Sequence, residues 1–159
     1  MTGNNKLIIG WREWVALPEL GIPAVKAKID TGARTSALDT FTLETFKKGG
    51  RLKVRFGVHP IRRRPDIKIF CIADVVDQRM VSDSGGHRER RLVIRTPVRM
   101  GEMEWPIEIT LTNRESMRFR MLIGRLALNE RLLVDTDASY LMGNLGYLLY
   151  TSWQLKSED

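Results

Sequence analysis

A chain of 159 residues, 43% hydrophobic and 28% charged, is long enough to bury a core without a metal or disulfide, and its balance excludes disordered and membrane-spanning classes. No apolar run approaches the roughly 18 residues of a spanning helix, and MTGNNKLIIGWREWVALPEL lacks the basic and apolar regions of a secretory signal, so one cytoplasmic domain over 1–159 with no membrane partner is expected. The net charge of +7 suits an anionic partner, which charge alone leaves open between nucleic acid, anionic lipid and an acidic polypeptide, or equally a solvated basic face with no dedicated ligand.

Strand patterns prevail along the chain. KLIIGWREWVAL carries Trp11 and Trp14 three apart, one expected in the core and one at an interface, and VKAKI alternates into Asp30. LDTFTLETF is an interrupted strand, and Gly49-Gly50 then turns the chain into RLKVRF as a hairpin. DIKIFCIADVVDQRMV and RERRLVIRTPVRM flank a glycine-rich tip, Ser82, Asp83, Ser84, Gly85 and Gly86, as the arms of a long hairpin. Cys71, the lone cysteine, reads as a small core residue and fits a reducing compartment. EWPIEITLT and FRMLIG are two further strands.

Only GRLALNERLL, Gly124 to Leu133, has helical spacing, with Leu126, Leu128 and Leu132 on one side. VDTDASY reads as a turn after a strand, and Met117, Met121 and Met142 as fillers of core or contact gaps. Leu145, Tyr147, Leu148, Tyr150 and Trp153 make the tail too apolar to dangle, and they allow an interface strand or a helix. The sum is a mostly β domain with one short helix near its end.

Chemistry concentrates in KAKIDTGARTSALD. Asp30-Thr31-Gly32 directly follows a strand and is surrounded by small residues that leave room for a substrate backbone. Its bland reading is an Asx turn in which the carboxylate caps local amides. About ninety residues later RMLIGRLAL sets two apolar residues before Gly124, Arg125 and a helix, and the two motifs together are rarer than either.

An Asp-Thr-Gly-Ala turn followed by an apolar-apolar-Gly-Arg strand end resembles the retropepsin fold of aspartic proteases. GWREWVALPELGIPAVKAKIDTGARTSAL, RLVIRTPVRMG and EWPIEITLTNRESMRFRMLIGRLAL are closer still to bacterial retropepsin-like peptidases labelled ATP-dependent zinc proteases, which include the RimB peptidases. The likeness covers about 8–141 and leaves 142–159 as a tail. It implies an acid-protease barrel, active as a symmetric homodimer. Asp30 would be the catalytic carboxylate, Thr31, Gly32 and Ala33 its turn, and 82–86 a flap. A water needs two carboxylates and each chain offers a single suitable turn, so a second copy would supply the other Asp30. The rival Asp135-Thr136 is followed by Asp137, whose side chain would obstruct the substrate.

Retroviral relatives place an acid after the alanine, paired to the arginine of the Gly-Arg motif, where this chain has Arg34. Arg34 and Arg125 would then lie near each other without that counter-charge, which points to an acidic substrate unless Glu44 or Asp39 pairs with Arg34. The resemblance suggests the glutamate tail that a RimK-type ligase adds to a ribosomal protein. Lys28, Arg34, Arg90, Arg91 and Arg125 are the candidate substrate-binding cations. No HExxH or GxxxxGK[ST] accompanies the two histidines, so no metal or cofactor is expected. The alternatives are a zinc-dependent peptidase, as the group label has it, and a catalytically silent basic dimer holding RNA or an acidic protein.

Overall fold

The computed structural model describes residues 6–82, 85–113, 118–143, 146 and 148–150. The chain runs through β1 (Leu7–Leu17), β2 (Ile22–Ile29), β3 (Ser36–Asp39), β4 (Thr42–Lys48), β5 (Arg51–Val58), β6 (Ile69–Asp74), β7 (Asp77–Ser82), β8 (Arg88–Met100), β9 (Met103–Thr112), β10 (Met121–Ile123), the one-turn helix α1 (Arg125–Leu128) and β11 (Leu132–Ser139). The mostly β architecture with one short helix is thus observed. The main sheet has eight strands, ordered β11-β1-β2-β10-β3-β9-β8-β7, and curls until Ala16 of β1 pairs with Arg99 of β8, so that β1, β2, β10, β3, β9 and β8 form a ring. A separate sheet, β4-β5-β6, accompanies it.

Alternation explains the strands that the sequence made plain. In β2, Val25, Ala27 and Ile29 are buried while Lys28 between them is exposed. Gly49 and Gly50 take φ of 60° and 78°, the left-handed pair that a two-residue hairpin needs, and Lys48 faces Arg51 across it. Ile9, Leu17, Ile22, Leu38, Phe56, Ile94, Ile109 and Ile123 are buried in one continuous core. Cys71 belongs to that core: its thiol donates to Leu20 O at 3.3 Å, and burial pushes its pKa up to about 12, so it stays protonated at neutral pH.

Three expectations need correction. The first arm of the long hairpin is split, because the Val75 N–H donates to Leu52 O (3.0 Å) and the Val76 N–H to Val93 O (2.8 Å), so consecutive residues belong to different sheets. β6 therefore joins β5, and only β7 pairs with β8. The helix stops at Leu128: Glu130 takes φ of 69°, and Leu132 enters β11, pairing in parallel with Leu7 of β1. Sheet pairing there outweighs a helical spacing too short to sustain itself. Asp135 and Asp137 lie within β11 rather than in a turn beyond it, with Asp135 Oδ1 accepting from the Asp137 N–H at 2.9 Å.

Trp14 is buried and Trp11 half-buried, edge-on to Phe119 at 5.9 Å. Met121 is fully buried and Met142 packs against the core. Met117, Leu145, Tyr147 and Trp153 lie outside the described residues. Tyr150, in a 3-10 turn, is buried; its hydroxyl donates to Ala24 O (2.5 Å) and accepts from the Ala24 N–H (3.2 Å), and burial raises its pKa to about 12.

Candidate active site

β2 and β10 run parallel with Ile29 level with Ile123, so the segments that follow them, Asp30 to Arg34 and Gly124 to Leu126, emerge side by side. The Asp30 N–H donates to Ile123 O at 2.8 Å. Asp30 Oδ1 accepts from the N–H groups of Gly32 (3.0 Å) and Ala33 (3.2 Å), which is the Asx turn in full. The second carboxylate oxygen has no hydrogen bond among the described residues, and Asp30, half-buried, lines a cleft of about 970 Å³. The bland and catalytic readings of Asp30 are therefore compatible: one oxygen orients the carboxylate and the other is left for a ligand.

The Gly-Arg motif clamps this turn. Arg125 Nη1 donates to Thr31 O (3.2 Å) and Gly32 O (3.0 Å), the Arg125 N–H to Ala33 O (2.8 Å) and the Leu126 N–H to Arg34 O (3.2 Å), so four successive carbonyls are held. The buried Ser36 hydroxyl accepts from the Gly124 N–H at 3.1 Å. A Cβ on Gly124 would meet Thr35 O at 2.6 Å and Ala33 O at 2.9 Å, so only glycine permits this approach. Gly124→Ala is expected to cost about 1–3 kcal/mol by overpacking against backbone, read as a fall of several degrees in Tm; an unchanged Tm would mean that the turn is not held this way.

The wall opposite the turn is the β7–β8 hairpin, which contributes Arg79, Met80, Val81, Ser82 and Arg91, with Glu108 of β9 beside them. Ser82 pairs with Arg88, and Gly85 and Gly86 are exposed near the tip; Asp83 and Ser84 of the expected flap lie outside the described residues.

Of the candidate cations, Arg34 and Arg91 line the cleft, while Lys28 and Arg90 do not, and Arg125 is spent on the turn carbonyls instead of facing the cavity. Arg90 is displaced by strand alternation: its neighbour Arg91 points inward, so Arg90 points outward and is exposed. Arg91 is buried, bound to Glu89 and, at 3.4 Å, to Thr110 Oγ1. Arg34 is exposed and has no side-chain hydrogen bond or ion pair among the described residues. The acids that could have neutralised it are engaged elsewhere, Glu44 with Arg55 (2.9 Å) and Asp39 with Arg120 (3.0 Å).

Arg79 was not among the candidates. It sits directly opposite Arg91 in the hairpin register and is bridged to Asp77 (2.8 Å) and Glu108 (2.9 Å). Those hydrogen bonds raise its pKa above the ordinary value, and Arg79 in turn holds the Asp77 carboxyl below its own. Counting pairs back from Ser82 and Arg88 would have found it, because two arginines facing each other need acids around them. The zinc of the group label finds no matching ligand set: among the described residues no three of His, Cys, Asp and Glu converge, and His59 is stacked on Phe41 at 4.1 Å.

The sequence profile of the RimB-like family, described as retropepsin-like aspartic endopeptidase RimB, matches residues 8–144. The chain belongs to that family. Among curated proteins this RimB-like chain is 44% identical over 145 residues to a Shewanella pealeana protein named probable alpha-L-glutamate ligase, covering 91% of the chain and 32% of the ligase. A protein of the same name from Desulfotalea psychrophila is 44% identical over 140 residues, covering 88% of the chain and 30% of its own length. The RimB-like chain thus spans about a third of these curated relatives. Its fold matches the crystal structure of Lpg0085, a Legionella pneumophila protein of unknown function, with a TM-score of 0.71 at 23% identity, over 86% of this chain and 98% of that one.

Proposed function

We propose that the chain is an aspartic peptidase that hydrolyses peptide bonds in poly-α-glutamate tails, such as those a ligase adds to a ribosomal protein, as a twofold homodimer. The observation that carries this reading is one oriented carboxylate, Asp30, in a large cleft whose rim holds the uncompensated cation Arg34. The family supports the aspartic chemistry. The relatives' name supports the glutamate substrate, since a domain like this one occurs in proteins named probable alpha-L-glutamate ligase.

In this mechanism Asp30 of each copy flanks one water, and the two carboxylates share a proton because both cannot ionise at such proximity. The ionised one takes a proton from the water as its oxygen attacks the scissile carbonyl carbon, and the protonated one gives its proton to the carbonyl oxygen. Collapse of the tetrahedral diol breaks the C–N bond, with a proton passing from a carboxyl group to the leaving nitrogen. Thr31, exposed at the turn, would bond its counterpart across the axis, and the β7–β8 hairpin would cover the substrate and exclude water.

Arg34 would bind a glutamate carboxylate. Arg34→Glu is expected to lower kcat/KM on an oligo-glutamate peptide about tenfold or more, the loss of one charge-assisted hydrogen bond, with a much smaller effect on a neutral peptide. Equal losses on the two peptides would rule out the role.

Mass spectrometry of a glutamate-tailed peptide incubated in excess EDTA tests the whole reading: wild type shortens the tail and Asp30→Asn does not. A second reading rests on the coverage of ligases by a domain like this one, namely a module that holds the glutamate tail without cutting it. Tight tail binding by both proteins, with no shortening by either, would select it.

A further inference from the structure

A second concavity, of about 270 Å³, shares no residue with the cleft at Asp30. Met121 pairs with Ala27, so Arg120 is level with Lys26, about 13 Å along β2 from Asp30 at the usual strand rise. Among the described residues six cations line the concavity, Arg12, Lys26, Arg62, Arg63, Arg118 and Arg120, and no carboxylate does. Nothing about it depends on the peptidase reading.

The cations are arranged. Arg12 lies 5.0 Å from the Tyr140 ring centroid, and Lys26 Nζ 5.3 Å from that of Trp14 and 5.6 Å from that of Tyr140, so two aromatic side chains of the wall steer two of the charges. Arg120 is held by Asp39, yet its Nε is buried without a hydrogen-bond partner among the described residues. Arg62, Arg63 and Arg118 have no ion pair or hydrogen bond among the described residues.

Asp39 already neutralises Arg120, but Arg62, Arg63 and Arg118 have no such partner among the described residues, and guanidinium groups gathered around so small a volume repel one another unless an anion joins them. A carboxylate brings one charge in a plane, and alternate glutamates of an extended chain stand about 7 Å apart. A terminal phosphate brings about −1.5 to −2 and three strong acceptor oxygens, directed tetrahedrally, and a diphosphate sets a second phosphate directly beside it, whereas backbone phosphodiesters carry one charge each and are spaced along their chain. We propose that the concavity binds linked phosphates, the diphosphate of a nucleotide.

Calorimetric titration of the full chain at low salt with inorganic pyrophosphate, a nucleoside diphosphate, a single-stranded RNA decamer and octa-glutamate tests the proposal. Pyrophosphate is expected to bind to wild type and equally to Asp30→Asn, and to lose at least tenfold in affinity in Arg62→Glu/Arg63→Glu and separately in Arg118→Glu. All three sites are exposed or unpaired, and circular dichroism checks each fold; if one variant fails to fold, the other decides. A nucleoside diphosphate binding at least as tightly as pyrophosphate supports the site, and a steeply salt-dependent preference for RNA over both would overturn it in favour of a general polyanion surface. Absence of pyrophosphate binding, affinity unchanged in the folded variants, or octa-glutamate binding more tightly than pyrophosphate in an Arg118-dependent way would overturn it.

Discussion

Asp30→Asn is expected to reduce hydrolysis of a glutamate-tailed peptide by about 10³-fold or more, the scale of losing a positioned acid–base group, with little change in Tm. The fold should survive because the asparagine oxygen can still accept from the Gly32 and Ala33 amides, which are the bonds Asp30 Oδ1 makes. What disappears is the ionisable oxygen that takes the proton of the attacking water. The same variant tests the symmetric site. Added in excess to wild type, it should suppress activity in proportion to the mixed dimers formed, since each would hold one competent carboxylate. Activity of wild type that is indifferent to the added variant, under conditions where subunits exchange, would refute a dyad shared between chains. Residual hydrolysis by the pure variant near the wild-type rate would remove Asp30 from the chemistry altogether.

Glu13→Ala is expected to destabilise the domain by about 3 kcal/mol, from one buried and two part-buried N–H groups left unpaired at roughly 1–3 kcal/mol each, less what water recovers at the latter. Glu13 is fully buried in β1, and no Lys or Arg pairs with it among the described residues. Its carboxylate accepts instead from the Gly10 N–H (2.6 Å), the Leu141 N–H (2.9 Å) and the Met142 N–H (3.0 Å), tying the bulged start of β1 to the segment after β11. That segment begins at Tyr140, which walls the cationic concavity. Against the 5–15 kcal/mol of an ordinary domain, such a loss should move the urea midpoint strongly. Glu13→Gln should fall between, because its amide nitrogen would face a backbone donor. A midpoint for Glu13→Ala within error of wild type would show that these amides find other partners.

Local pattern by itself determined most strands of this protein, though not β11 or the break between β6 and β7, along with the Gly49-Gly50 hairpin and the place of the oriented carboxylate. Alternation across Val25 to Ile29 requires one buried face, two glycines are what a two-residue turn needs, and the pairing of Asp30-Thr31-Gly32 with Gly124-Arg125 is specific enough to imply the family. Glu13 was legible only as a polar residue in a strand, since nothing in REW announces that three distant or bulged amides converge on it. Tertiary structure alone decided the rest. Whether β6 follows β5 or β7 is settled between Val75 and Val76 by which carbonyls are within reach, Leu52 O and Val93 O. Leu132 leaves a helical pattern because β1 offers it a parallel partner, and Arg125 turns from substrate cation to turn clamp because four carbonyls come within its reach and that of Leu126. Arg79 meets Arg91, and Arg12, Lys26, Arg62, Arg63, Arg118 and Arg120 gather from four stretches of chain, through long-range register. Periodicity tells which side of a strand a residue takes; only the pairing of strands remote in sequence tells what that side will face.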